Sequence, residues 1–316
     1  MAISLLHESL MYSMYFAPRG KKRLLLLGHQ IAQRYLSPLD KLVGFVGDAG
    51  AGKSLLIKGM FPGLELTSDD EGVNVRPLPL LDQDNQNKFF SPHTYHIDVR
   101  FESAFTQMHV LADAVKQAIK EEKRVIIEHF ELIYPFLEMN AEILIGIGEE
   151  VIVTRPSIFG PQPKDISDIV VKSLKYRKMA HTAEDLTSMV LEKEFGIPRC
   201  EEHSDVQHGF VLEFNEKPLI DIQALEDSVK KYIEEKMDVC YLDDKHISIG
   251  SGFNHVCTGP RIHVKNTEEI ENFQLVKDFK YDPLTKVYSL IGLIGPKVRV
   301  DLKNIEEING LKNIQF

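Results

Sequence analysis

The sequence predicts an α/β domain built on a mainly parallel sheet, followed by an α+β domain. Three observations predict it. An apolar run, a glycine-rich stretch and a helical pattern follow one another within residues 42–60. Branched apolar runs then alternate with a helical segment as far as residue 154. Beyond a stretch rich in proline and glycine at residues 155–163, helices and strands resume in a different order. A length of 316 residues suits two domains, and a composition of 43% hydrophobic and 27% charged residues is that of an ordinary globular protein.

Residues 1–23 read as an N-terminal arm. They are mildly apolar at first but lack the basic start and small-residue cleavage site of a signal peptide. No apolar run reaches the length needed to span a bilayer, so no membrane partner is expected. Three cysteines, Cys200, Cys240 and Cys257, make no even disulfide framework and suit a reducing cytoplasm. A net charge of −10 excludes a surface of general positive potential, which leaves only local patches for nucleic acid. Two short ones, RGKKR at residues 19–23 and KSLKYRK at 172–178, read as solvated faces ahead of phosphate sites.

Residues 42–46 (LVGFV) suit a buried strand and residues 55–60 (LLIKGM) the start of a helix. Between them, GDAGAGKS fits G-x-x-x-x-G-K-[ST], the spacing of a phosphate-binding loop. Glycines at 47, 50 and 52 let the backbone curl so that successive N–H groups face one concavity, and the following helix adds its positive end. The expected nucleotide contacts are Gly47, Asp48, Ala49, Gly50, Ala51, Gly52, Lys53, Ser54 and Leu55. Lys53 can reach the β and γ phosphates, and the Ser54 hydroxyl can ligate Mg²⁺. A glycine-rich turn without a ligand fits the string but not its flanks.

Downstream, residues 94–100 read as a strand carrying Asp98, and RVIIE at 124–128 as a strand ending in Glu128. Between them, residues 104–121 place Phe105, Met108, Leu111, Ala112, Val115 and Ile119 at helical spacing. Acids at strand ends beside a phosphate loop can orient Mg²⁺ or a water, and each also fits a solvated strand-end carboxylate.

The order GDAGAGKS, then His96-Ile97-Asp98 followed by Arg100, then a strand ending in Ile127-Glu128, resembles the TsaE family. These are small bacterial ATPases of the threonylcarbamoyladenosine tRNA-modification pathway. The resemblance covers about residues 24–155, and the predicted domain runs over 24–160. It implies an α/β P-loop NTPase domain that uses ATP and Mg²⁺, with Lys53, Asp98 and Glu128 in catalytic roles and Ser54 on the magnesium. Where the family has a Tyr before that Arg and a Trp after the Ile-Glu, this chain has Val99 and His129. No N-K-x-D element of the guanine-specific kind is present.

Residues 161–172 read as a linker and 173–316 as the second domain. From 181 to 195, Ala183, Leu186, Met189, Val190 and Phe195 suggest an amphipathic helix with His181 and Asp185 on one face. Such a pair fits a surface hydrogen bond as well as a metal site. Further on, GFNHVCTGPRIHVKNT at 252–267 has Cys257 and His263 bracketing a Thr-Gly-Pro turn. In a strand, His263 would point away from the apolar side of Ile262 and Val264. A thiolate and an imidazole brought together in this way are natural Zn²⁺ ligands. His255 shares a strand face with Cys257 and reads as a solvated or core-edge histidine ahead of a ligand. The tail at 297–314 alternates apolar and polar residues and is expected to add strands or a short helix.

The combination resembles the second additional domain of alanyl-tRNA synthetases, shared with threonyl-tRNA synthetases and free-standing alanyl-tRNA editing proteins. That family carries H-x-x-x-H on a helix, a later C-x-x-x-H-V, and then x-N-T-G-E-I. Here the order is His181 to Asp185, Cys257 to His263-Val264, and Lys265-Asn266-Thr267-Glu268-Glu269-Ile270. Asp185 replaces the second helical His, and the Cys–His spacing is longer by two residues. The resemblance implies an α+β tRNA-synthetase editing-like domain holding zinc through His181, Asp185, Cys257 and His263. It also implies hydrolysis of the ester joining a mischarged amino acid to tRNA. The expected whole is an ATP-hydrolysing protein that edits or recognises aminoacyl-tRNA. A regulatory ATPase whose zinc domain senses an amino acid or aminoacyl end is the alternative, and a P-loop small-molecule kinase a further one.

Overall fold

The apolar run Leu42–Val46, buried along its whole length, forms β2 at the middle of a six-stranded sheet. The computed structural model describes residues 13–64, 66, 93–199, 203–243, 246–250, 253–257 and 262–295. Two units divide the chain. The first comprises Met1–Ala17 and Lys22–Lys172, the second Pro18–Lys21 and Ser173–Phe316.

In the first unit, β3 (Thr94–Asp98), β4 (Arg124–Glu128) and β5 (Ile143–Ile147) join β2 in parallel pairs. Strand β6 (Glu150–Thr154) lies antiparallel to β5, because the connection between them is too short for a crossover. Strand β1 (Ser13–Phe16) pairs antiparallel with β6, giving the order β1-β6-β5-β2-β4-β3. The arm expected over residues 1–23 is thus in part a sheet edge. Its aromatic residues Tyr15 and Phe16 suit a strand, and residues 1–12 lie outside the described ones.

Helix α1 is Lys21–Tyr35, α2 is Lys53–Met60, α3 is Val99–Glu102, α4 is Met108–Lys120 and α5 is Phe130–Leu137. The β3 segment is shorter than the expected strand over 94–100. Asp98 caps α3 by accepting the Phe101 N–H at 3.1 Å, so Val99 and Arg100 turn helical. Helix α4 begins later than its periodicity suggests and leaves Phe105 more than half exposed ahead of it. Its face of Leu111, Ala112, Val115 and Ala118 packs with Tyr95, Ile97, Val125 and Ile127 in the core of this unit.

Two helices, α1 and α2, approach each other closely. A Cβ on Gly28 of α1 would lie 2.4 Å from the Leu56 carbonyl oxygen, and one on Gly59 of α2 would lie 2.2 Å from that of Leu25. Only glycine at both positions lets the backbones touch, and that contact anchors the helix whose N-terminus closes the loop at 47–54.

Helix α6 spans Pro163–Glu194, and the division between the units falls within it, between Lys172 and Ser173. The linker expected over 161–172 is therefore helical from Pro163 onward, a residue whose fixed φ suits a first helical position. Ile166 and Val170 bury themselves in the first unit's core. The segment expected to be amphipathic from 181 is instead buried on all sides, from Met179 to Leu191.

The second unit adds two antiparallel sheets. Strands β7 (His203–Val206), β8 (Gly209–Phe214), β12 (Gln274–Leu275), β13 (Lys280–Asp282) and β14 (Val287–Leu293) form one, ordered β12-β14-β8-β7 with β13 on β14. Strands β9 (Val239–Tyr241), β10 (His246–Ile249) and β11 (Phe253–Val256) form the other. Helix α7 (Ile222–Glu234) starts at Asp221, whose side chain accepts the Gln223 N–H at 2.8 Å. Ala183, Leu186 and Val190 of α6 share a core with Phe210, Leu212, Leu225, Val229, Ile247 and Ile249. The whole is a mixed α/β fold with one mostly parallel sheet and additional antiparallel sheets. The tail expected to add elements at 297–314 lies outside the described residues.

Replacing Gly59 by Ala brings a helix-propensity gain of about 1 kcal/mol. Forcing apart two packed backbones costs about 1–3 kcal/mol. The Gly59→Ala protein is therefore expected to unfold at lower denaturant concentration than wild type, and an unchanged or higher midpoint would contradict the close helix contact.

Candidate functional sites

In the first unit, positive φ at Gly47 (139°), Gly50 (74°) and Gly52 (99°) curls the segment between β2 and α2. Gly47 has a second reason to lack a side chain, since a Cβ there would sit 2.6 Å from the Ile147 carbonyl oxygen at the end of β5. Lys53 opens α2 and folds back over the loop. Its buried Nζ donates to the carbonyls of Asp48 at 3.0 Å and Gly47 at 3.3 Å and lies 3.8 Å from Glu128 Oε2. The Ser54 hydroxyl donates to Glu128 Oε1 at 2.9 Å.

Parallel register brings the acids to the same place. Glu128 pairs with Phe45 across β2/β4 and with Asp98 across β3/β4, so both carboxylates project at strand ends next to the loop. They are not solvated strand ends, since both are buried. Burial alone would raise Glu128, but His96, with Nε2 3.1 Å from its Oε1, together with Lys53 and Ser54 holds its carboxyl below the ordinary range. Burial and then the Glu128 charge push Asp98 the other way, upward. Two carboxylates with environments of opposite effect sit side by side.

Sequence reasoning gave His96 and Glu102 no role. His96 was visible only as part of a motif, and its proximity to Glu128 depends on the β3/β4 register. Glu102, buried on the short helix α3, is pushed up to about 7 by burial and then by Asp98.

In the second unit, His181 and Asp185 lie one turn apart on α6, and Cys257 follows directly after β11. Ligand atoms from these residues and His263 all lie within 4.8 Å of one another, and all four side chains are buried. Cys257 Sγ is 3.4 Å from His181 Nε2 and 3.2 Å from His263 Nε2. Asp185 Oδ2 is 3.9 Å from His181 Nε2 and 3.8 Å from His263 Nε2. Zinc bonds to nitrogen, oxygen and sulfur separate tetrahedral ligand atoms by about 3.3–3.8 Å, so the spacing fits such an ion.

The electrostatics fit as well. Burial, and then the neighbouring His263, hold His181 well below its ordinary value; burial also lowers His263. Burial would raise Asp185, but the surrounding imidazoles, His255 first among them, hold its carboxyl well below the usual range. Neutral imidazoles are the form in which histidine binds a divalent cation. Asp185 Oδ2 is buried without a hydrogen-bond partner, an orphan that a cation would satisfy.

No family model matches the chain, and no curated protein matches it. The assignments therefore stand on geometry and on chemistry.

His263 is not in a strand; Ile262, His263 and Val264 are all buried in a non-repetitive segment. That segment is held by Thr182, whose Oγ1 accepts the Val264 N–H at 3.1 Å and lies 3.3 Å from His263 Nδ1. The Tyr241 hydroxyl accepts the His263 N–H at 3.2 Å. Neither residue was anticipated, although a Thr beside His181 in an otherwise buried run was the available signal. The turn expected between the two ligands falls on residues 258–261, outside the described ones. After it, Asn266 accepts the Glu268 N–H, and Glu269 accepts those of Lys265 and Asn266. The stretch from Asn266 to Glu269 is thus a capping box that fixes the segment following His263.

The patches read as solvated faces are only partly so. Arg19 is buried, with Nε 2.7 Å from Glu184 Oε2 and Nη1 2.8 Å from Asp205 Oδ1. Arg177 is buried and donates to the Pro18 carbonyl at 2.8 Å. Among the described residues no helix is long and apolar enough to cross a membrane.

Glu102 makes folding pH-dependent. Unfolded, it loses its proton near 4.5, whereas the folded protein keeps it to about 7, so folding binds a proton between those values and stability falls as pH rises. Glu102→Gln removes that loss. In denaturant titrations without metal or nucleotide, the variant's stability relative to wild type is expected to rise from pH 4.5 to 7. A difference independent of pH would refute the assignment.

Proposed function

We propose that this chain is an ATP-hydrolysing protein whose second unit holds zinc and acts on the aminoacyl end of tRNA. The observation that carries the reading is the buried convergence of His181, Asp185, Cys257 and His263 on one point, a donor set with the types and spacing of a zinc site. The ATPase part is supported by the glycine-curled loop, by Lys53 folded over it, and by the Ser54–Glu128 hydrogen bond at the end of a parallel strand beside it. In this assignment Ser54 would hold Mg²⁺, Lys53 would neutralise phosphate charge, and Glu128 and Asp98 would orient the attacking water, with Mg²⁺ supplying charge neutralisation on the phosphates. His96 keeps Glu128 ionised and aimed. The tRNA part rests on the resemblance of the ligand motifs and the capping turn to the editing domains of alanyl-tRNA synthetases.

One feature favours a second reading for the zinc unit. Four protein ligands complete a tetrahedral ion and leave it no open position for water. The ion would then shape or bind an aminoacyl end without hydrolysing its ester, and ATP turnover in the first unit would serve a sensor.

Purified protein is expected to carry close to one equivalent of zinc by elemental analysis, lost in Cys257→Ala and His263→Ala. ATP hydrolysis is expected to fall by about 10²-fold or more in Lys53→Ala and Glu128→Gln, the scale of losing one charge-stabilising group. Ser-tRNA and Ala-tRNA supplied with and without ATP separate the two readings. Deacylation of either establishes editing. Stable esters together with retained zinc and measurable aminoacyl-tRNA binding establish the sensor, and absence of zinc from wild type overturns the proposal for the second unit.

A further inference from the structure

The two oxygens of Asp185 face different partners. Oδ2 lies among the ligand atoms, 3.9 Å from His181 Nε2 and 3.8 Å from His263 Nε2. Oδ1 lies 3.4 Å from His255 Nε2 and 3.6 Å from Arg199 Nη2. His255 is buried, and its Nε2 has no hydrogen-bond partner of good geometry. A buried imidazole nitrogen left in that condition costs free energy unless a neighbouring charge compensates it, and the nearest such charge is Asp185.

His255 is held in place by its strand. It pairs with Ile247 across β10/β11, and the alternation of β11 turns Asn254 and Val256 outward while His255 and Cys257 turn inward. The residue directly after the strand is a ligand, Cys257, and two residues earlier His255 faces an oxygen of another ligand, Asp185. Arg199 reinforces the arrangement from the other side, because its Nη1 donates to the carbonyl of Val256 while its Nη2 faces Asp185.

On the zinc reading given above, we propose that His255 is a positioning residue that keeps Asp185 a single-oxygen ligand and so fixes the site as four-coordinate. A carboxylate free to turn can offer both oxygens to a cation, which raises the coordination number and suits harder ions that take many oxygen ligands. With Oδ1 engaged by His255 and Arg199, only Oδ2 remains for the ion. The donor set is then two imidazoles, one thiolate and one carboxylate oxygen, a set that selects zinc or cobalt over calcium and magnesium.

The test uses the full chain, stripped of metal and titrated with zinc(II) against a chromogenic chelator and with cobalt(II) by visible absorption. Wild type is expected to bind one equivalent of each and to give the intense d–d bands of tetrahedral cobalt. His255→Ala is expected to keep one equivalent but to bind zinc about 10–100-fold more weakly, the usual effect of removing a group that orients a ligand. Its cobalt bands are expected to weaken as the coordination number rises. His255→Gln, which keeps a donor, should restore most of the affinity and the tetrahedral spectrum, and circular dichroism of both apo variants checks that they fold. Wild-type affinity and an unchanged cobalt spectrum in His255→Ala would overturn the proposal while leaving the zinc site standing. Loss of binding as complete as in Cys257→Ala, with no recovery in His255→Gln, would overturn it by making His255 a ligand. A wild-type chain that binds neither ion would remove the zinc reading itself, and this proposal with it.

Discussion

Every residue of α6 from Met179 to Leu191 is buried, and six of them, His181, Thr182, Glu184, Asp185, Thr187 and Ser188, are polar. A helix surrounded by protein must satisfy such groups inside the fold or lose stability for each one left over. The second unit is arranged around this requirement. Thr187 returns its hydroxyl to the Ala183 carbonyl at 2.6 Å, Thr182 serves the segment of His263, and Arg19 comes in from Pro18–Lys21 to meet Glu184. Even so, burial pushes the Glu184 carboxyl up to about 7 against the pull of Arg19. Two others, His181 and Asp185, find their neighbours in Cys257 and His263.

The first unit solves a different electrostatic problem. Parallel strands end together, so acids at their C-terminal ends crowd one another beside the loop. Lys53 and His96 offset that crowding unequally: both contact Glu128, whereas Asp98 is held chiefly by a backbone N–H. The outcome is an ionised carboxylate bonded to Ser54 next to one whose proton is retained more readily. That asymmetry follows from which side chains β3 and β4 bring into register.

Much of the local structure was legible. The short apolar runs at Leu42–Val46 and Arg124–Glu128 read as strands of a buried sheet, and both have those bounds. The glycine spacing of residues 47–54 encodes positive φ, which is a property of the residues themselves. What could not be read depends on partners distant in the chain. A 3.6-residue apolar pattern describes one covered face, so it misrepresents α6, where polar residues are also covered and the period carries no sign of it. Proline and glycine at residues 155–163 signal a break, yet Pro163 also opens a helix, and the deciding contacts of Ile166 and Val170 lie in the first unit's core. His181, Asp185, Cys257 and His263 were candidates by residue type, and only the resemblance joined them into one ligand set. The division of Asp185 between two sets of neighbours was not legible, because Oδ1 and Oδ2 are equivalent until β11 is placed.

The ligand cluster joins segments far apart in sequence. His181 and Cys257 are separated by 76 residues, and Thr182 and His263 by 81. Each half of the cluster is local, a helical turn on one side and a six-residue span on the other, but closing the two together costs chain entropy that only the finished core repays. During synthesis the helical half emerges well before its counterpart and cannot close the cluster alone. Assembly of the centre therefore reports completion of the second unit, and a cation captured there would stabilise that finished unit by mass action, because the unfolded chain offers no assembled site to hold it.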